Sequence, residues 1–200
     1  MVWFAAGSAW NVRKGKATMR WMQEGLPRLG ERTTVRWLGT NSVEMVIQKA
    51  KSPFEQVTLV IFLEPRDVPW IWALTRARGR RDTLIFRARL PRAPLQDLEM
   101  LDRASWSGRD ALRRMASEQW TARDPAAQDP LTAFTRSGSA TALGDTLLGH
   151  LRGTGITVRR LSVRSIEPHL QLHMDLTADS LSAPELFKAL RAVGQHVQSS

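Results

Sequence analysis

Between Glu55 and Leu90 the chain reads EQVTLVIFLEPRDVPWIWALTRARGRRDTLIFRARL, and the spacing of its apolar residues changes twice. Val57, Leu59, Ile61 and Leu63 alternate on one side, while Val60 and Phe62 make the other side apolar too, the mark of a strand inside a sheet. Asp67 then stands at an N-cap position, Pro69 falls in a first turn, and Val68, Ile71, Trp72 and Thr75 lie at helical spacing before Gly79, a C′ stop. From Thr83 the period returns to two, with Leu84, Phe86, Ala88 and Leu90 inward and Arg87 and Arg89 outward. The pattern predicts strand, helix, strand.

Upstream, Lys16 to Leu26 carries Met19, Met22 and Leu26 on one side with Trp21 beside them, a short helix ended by Pro27 and Gly30. Thr33–Leu38 and Ser42–Ala50 are expected as strands around the turn Gly39-Thr40-Asn41. Downstream, Pro91 and Pro94 make a turn and Leu95 to Leu101 reads as a return strand. Ser107 with Asp110 resembles a capping box for a helix bearing Ala111, Leu112, Met115 and Ala116. From Thr121 to Ser139, Pro125, Pro130 and Gly138 interrupt any period, so a linker or mobile loop is expected there, with one short strand at Leu131 to Thr135.

In the last third, Leu143, Leu147, Leu148 and Leu151 mark a helix stopped by Gly153. Ile156/Val158 and Leu161/Val163 differ in parity, which places a bulge at Arg159-Arg160. Leu170, Leu172, Met174 and Leu176 alternate with His169, Gln171, His173 and Asp175, and Ser182 with Glu185 caps a final helix striped by Leu186, Leu190, Val193 and Val197. The predicted class is α+β: antiparallel sheet segments with helices packed on one face. The order is strand-strand-strand-helix-strand-strand-helix over residues 13–120, then, after the 121–139 linker, helix-strand-strand-helix over residues 140–200.

The first ten residues change this picture. Met1 to Trp10 carries no charge, and Arg13, Lys14 and Lys16 follow at once, the reverse of a signal peptide's order. The segment is shorter than the ~20 residues a bilayer crossing needs. Trp3 and Trp10 near an interface, with basic residues just beyond, match the last half of a membrane helix. Residues 1–12 are therefore read as a truncated anchor or as a segment lying in the membrane surface, with everything after Arg13 cytoplasmic. The competing reading is an N-terminal strand or helix docked on the core.

Composition narrows the chemistry. The absence of cysteine excludes disulfides, thiolate nucleophiles and cysteine metal sites. Lys+Arg at 29 against Asp+Glu at 19 gives a formal charge of +10, which favours RNA, DNA or an anionic membrane as partner. The excess is concentrated in Arg76, Arg78, Arg80, Arg81, Arg87, Arg89 and Arg92, opposed within that stretch only by Asp82. Guanidinium groups bind phosphate oxygens bidentately, so the first six are candidate phosphate or partner contacts. Trp3, Trp10, Arg13, Lys14 and Lys16 are candidate membrane-interface residues, each basic charge near an anionic surface contributing about 1 kcal/mol. For base stacking only Trp70 is a candidate, since the Trp72 side of its helix reads as buried.

Catalytic and metal signatures are missing. His169 and His173 on a strand lie about 13 Å apart, four residues at ~3.3 Å each, too far for one ion, and both are expected to face solvent. No G-x-S-x-G turn, phosphate-cradling glycine loop or singled-out carboxylate pair occurs, and no cofactor or small-molecule substrate is identified.

The order of elements carries a resemblance. An apolar segment is followed by basic residues and a short Trp-bearing helix, then strands, one ending in Arg66-Asp67. A helix with Leu74 and Arg76 leads to Asp82 and a strand, then a return strand, the helix GRDALRRM, a variable stretch, and helix, strand, strand, helix. This resembles the cytosol-facing globular domain of calumin, the coiled-coil-containing membrane subunit of the PAT chaperone complex at the multipass translocon. The likeness runs from about Ala17 to Val197 as an order of elements with scattered identities. It implies a single-pass anchor and an α+β domain that helps membrane proteins insert and assemble, without an active site. Its charged coiled-coil extension, associated with ribosome contact, and its acidic lumenal region have no counterpart in this sequence. The expected function is thus a non-enzymatic, membrane-associated scaffold or assembly factor. Its partners would be a membrane surface, membrane-protein or translocon components and ribosomal RNA. The alternative is a soluble binder of RNA or DNA phosphates through the arginine surface.

Overall fold

The computed structural model describes residues 2–116, 118–123, 130–136, 140–176 and 182–200. A single antiparallel sheet runs through both halves of the chain. Its nine strands are β1 (Thr33–Trp37), β2 (Ser42–Ile47), β3 (Gln56–Phe62), β4 (Thr83–Arg89), β5 (Leu98–Asp102), β6 (Thr121–Arg123), β7 (Leu131–Thr135), β8 (Val158–Val163) and β9 (Leu170–Asp175). Their spatial order is β1-β2-β3-β4-β9-β8-β5-β7-β6. The two halves are joined where β4 pairs β9, Thr83 opposite Asp175 and Ala88 opposite Leu170. The helices are α1 (Val2–Gln23), α2 (Pro69–Ala77), α3 (Trp106–Met115), α4 (Ala140–Arg152) and α5 (Ala183–Ser199).

The α+β class holds, and the strand-helix-strand unit at Glu55–Leu90 forms β3, α2 and β4 at the centre of the sheet. The expected inward residues Leu59, Ile61, Leu84, Phe86 and Leu172 are fully buried in one continuous core with Leu147, Leu186, Phe187 and Leu190 from α4 and α5. The expected bulge is present: the β8–β9 register skips between Val158 and Arg160. Ser182 caps α5 by accepting from the Glu185 N–H at 3.5 Å.

Four expectations are corrected. Helices cover both faces of the sheet rather than one. Leu98 and Met100 of β5 face the α4–α5 core, whereas Leu101 on the opposite face packs with Ala111 and Met115 of α3. The 121–139 stretch contributes two paired strands, β6 and β7, and every residue of β7 is buried; positions 124–129 and 137–139 lie outside the described residues. The prolines do not prevent the pairing because Pro125 and Pro130 both fall between β6 and β7 in the sequence, inside neither strand. The α3 cap is Ser105, not Ser107: its Oγ accepts from the Gly108 N–H at 3.0 Å and donates to the Asp102 carbonyl at 2.7 Å. The α2 cap position is Val68, with no side-chain capping bond; Asp67 instead accepts from Thr40 Oγ1. As expected, α4 ends at Arg152, just before Gly153; the left-handed residue follows at Gly155, φ 73°, and Gly79 after α2 takes φ 81°.

Candidate functional site

The N-terminal twenty-odd residues do not break into an apolar start and a separate helix at Lys16. Nothing between Asn11 and Lys16 stops a helix, and α1 is continuous. Its first half docks through a narrow stripe, Gly7, Asn11 and Gly15, one residue per turn on one side, and its last turn buries Met22 in the main core. A Cβ at Gly7 would meet the Arg66 carbonyl and lie 2.6 Å from Asp67 Cα, so only hydrogen permits this approach. At Gly15 the neighbour is the Trp37 ring, 2.8 Å from where a Cβ would stand.

Under this stripe lies a buried charged knot that the sequence pattern did not reveal. Glu64 lies two residues past β3 and Asp82 immediately precedes β4, and the two are 1% and 3% exposed. Arg66 donates to both Asp82 oxygens at 2.9 and 2.8 Å, and the Glu64 N–H donates to Asp82 Oδ1 at 2.7 Å. Lys14 of α1 reaches the same carboxylate. Burial alone would raise the Asp82 carboxyl, but the hydrogen bonds from Arg66, Lys14 and the Glu64 amide hold it below the ordinary carboxylate range. Glu64 accepts from Arg76 at 2.8 Å and from the Trp72 indole. Asn11 closes the knot, donating to the Glu64 carbonyl at 3.1 Å and accepting from Arg66 at 3.2 Å. The legible signal was two acidic residues in a basic chain, one past the first buried strand and one just before the second, hence at the same end of the pair.

The first half of α1 nevertheless leaves large apolar side chains uncovered, although the Trp3 indole donates to the Arg66 carbonyl at 3.0 Å. Trp3, Phe4 and Trp10 are 54%, 53% and 64% exposed. Trp3, Ala6, Gly7, Trp10, Arg66 and Trp72 line an apolar groove of about 310 Å³ between α1 and α2. α2 has no buried residue, and beyond Trp72 it exposes Trp70, Ile71 and Leu74. The expectation that the α2 stripe is buried is thereby corrected: only Trp72 turns in, drawn by Glu64. Arg13, Lys16 and Arg20 continue the outer side of α1 into solvent. Among the described residues no helix is long and apolar enough to cross a membrane.

The arginine cluster is divided among several uses. Arg76 is spent on Glu64, and Arg89 on Glu55 and Glu167 at 2.8 and 3.1 Å. Arg87 is exposed on β4. Arg78, Arg80 and Arg81 gather at the end of α2, joined by Arg109 of α3, whose guanidinium donates to the Arg78 and Ala104 carbonyls. Arg80 lies over the Trp106 ring, 5.5 Å from its centroid.

Polar residues on the α3 face of the sheet are buried as well. Glu99, fully buried, accepts from Arg160 at 2.8 and 2.9 Å, from Ser162 at 2.6 Å and from Arg164 at 2.9 Å. Arg159, the bulge residue, bridges Asp175 and Asp102. His169 and His173 do not face solvent: each is 7% exposed. His169 Nδ1 accepts from the Leu90 N–H at 3.1 Å. Burial, reinforced by Arg160, Arg87 and Arg114, pushes His173 down to about 3, so it is neutral at physiological pH. Among the described residues no group of three or more His, Asp or Glu could hold a metal ion.

No protein-family model matches the sequence, and no curated protein is significantly similar to it.

Proposed function

We propose that this chain is a non-enzymatic, membrane-associated domain that rests on a lipid surface from the cytoplasmic side and serves as a scaffold or assembly factor in membrane-protein biogenesis. The observation that carries the docking half is the exposure of Trp3, Phe4 and Trp10 on a helix whose Asn11 and Lys14 are spent on Glu64 and Asp82. A helix docked on a folded body normally shows water its polar side. Exposed tryptophans with Arg13, Lys16 and Arg20 on the same helix suit the headgroup boundary, where indole rings sit at the interface and basic side chains meet anionic lipid. The biogenesis half rests on the resemblance to the calumin globular domain in order of elements.

Vesicle flotation tests the docking. The wild type should float with phosphatidylcholine vesicles containing phosphatidylglycerol, and a W3S/W10S/W70S variant should bind at least tenfold more weakly with an unchanged circular dichroism spectrum. Equal flotation of the two proteins, or no flotation of the wild type, removes the reading. The second reading, binding to RNA or DNA phosphates, is favoured by the four arginines at the α2–α3 junction. It requires co-sedimentation with RNA that weakens steeply as salt rises.

A further inference from the structure

On the sheet face shared with α3, a half-open cavity of about 110 Å³ lies between the Gly79–Arg81 turn and the first turn of α3. Phe62 and Ile85 line it from the strands, Arg80 and Arg81 from the turn, and Trp106 from α3. The volume equals that of roughly three to four liquid water molecules. It is well below the ~300 Å³ at which sites for drug-sized molecules begin. A tetrahedral anion fits; a whole nucleotide does not.

The charges around this space are unbalanced. Arg159, which also lines it, is spent on Asp175 at 2.9 and 2.7 Å and on Asp102 at 2.6 Å. Among the described residues no carboxylate pairs with Arg78, Arg80, Arg81 or Arg109. Three of these guanidiniums are held in place without being neutralised, Arg109 by the Arg78 and Ala104 carbonyls. Arg80 is stacked over Trp106, and Arg81 Nη1 donates to the Arg76 and Arg80 carbonyls at 2.8 Å each, leaving its other N–H groups free of those bonds. Burial lowers the Arg80 guanidinium below the ordinary arginine range, only partly offset by Glu64 and Asp82, which is the signature of a cation that an anion would stabilise. Planar guanidiniums fixed beside a small space match the bidentate geometry of phosphate oxygens.

We propose that this cleft binds a phosphate group through Arg80 and Arg81. The group could come from a lipid headgroup or from a soluble phosphate ester, and the site stands on its own observations whether or not α1 docks on a membrane.

Calorimetric titration with inorganic phosphate, ionic strength held constant with chloride, reads the site. The wild type should take up phosphate saturably at one per chain, and phosphate should raise its Tm above that in chloride. R80Q and R81Q should each weaken uptake at least tenfold, while R28Q, on the turn packed against α5, should leave it unchanged. The Tm rise in the wild type needs no variant, so it decides the matter even where R80Q fails to fold. Absence of a phosphate-specific Tm rise, or undiminished uptake by folded R81Q, overturns the assignment.

Phosphatidylcholine vesicles with and without phosphatidic acid separate the two sources. If R80Q and R81Q remove only the increment due to phosphatidic acid, the ligand is a lipid headgroup. If they abolish free phosphate uptake and leave vesicle binding intact, it is a soluble ester. Phosphate uptake alongside unaltered flotation of W3S/W10S/W70S would retire the docking reading and leave this site in place.

Discussion

Replacing Asp82 by asparagine tests whether the buried knot under α1 holds the N-terminal helix to the body. The side chain is 3% exposed and accepts four hydrogen bonds, two from Arg66 at 2.9 and 2.8 Å, one from the Glu64 amide at 2.7 Å and one from Lys14. Asparagine keeps the shape and one acceptor but turns an NH₂ toward guanidinium or ammonium donors and leaves Arg66 and Lys14 without their counter-charge. Removing one partner of a buried, hydrogen-bonded pair costs about 3–5 kcal/mol, because the surviving charge stays desolvated. For a chain of this size that is a Tm decrease of roughly 6–20 °C. Urea titration followed by tryptophan fluorescence would give the free energy, and hydrogen exchange would show where protection is lost. The losses should be concentrated in α1 and in the Glu64–Asp67 segment. A cost below about 1 kcal/mol, or unaltered protection of α1, would refute the idea that this carboxylate anchors the helix.

Two further outcomes follow from the same geometry. His173 is depressed to about 3 in the folded protein against an ordinary value near 6.5, so between these pH values only the unfolded chain takes up the proton. Its contribution to stability is therefore complete above pH 6.5 and declines as the pH drops toward 3. From pH 7 to 4.5 the wild type should lose about 2–3 kcal/mol more than H173Q in urea titrations, and parallel curves would show that the imidazole is not held neutral. At Gly7, valine would press its Cβ into the Arg66–Asp67 backbone, which cannot yield as a flexible side chain can, and should cost about 1–3 kcal/mol. Alanine at Gly15 meets the movable Trp37 ring and should cost less. Thermal unfolding of G7V and G15A checks the order, and G7V as stable as the wild type would mean that α1 is not tightly docked.

Much of the fold was legible in the sequence because local periodicity reports which residues share a side. The alternation in β3, β4 and β9, the parity break at Arg159, the Ser182 cap and the leucine stripe of α4 are all short-range patterns, and each element formed where its pattern lay. The arginine cluster was visible as a run, but its division was not. Only chain folding brings Glu64 to Arg76, Glu167 to Arg89, and Arg109 beside Arg78.

What the sequence determined by itself was the alternation of strands and helices, the α+β class and the excess of positive charge. The tertiary structure alone decided which of the two sides of each element would be covered. Alternation states that His173 and Glu99 lie opposite Leu172 and Leu98, yet both sides become interior once α3 closes over the second face. The same holds for α1, whose tryptophans read as either core or interface until the Gly7–Asn11–Gly15 stripe is seen against the body. Burial depends on which distant segment arrives, and β5 settling between β8 and β7 is a contact across the length of the chain that no local window contains.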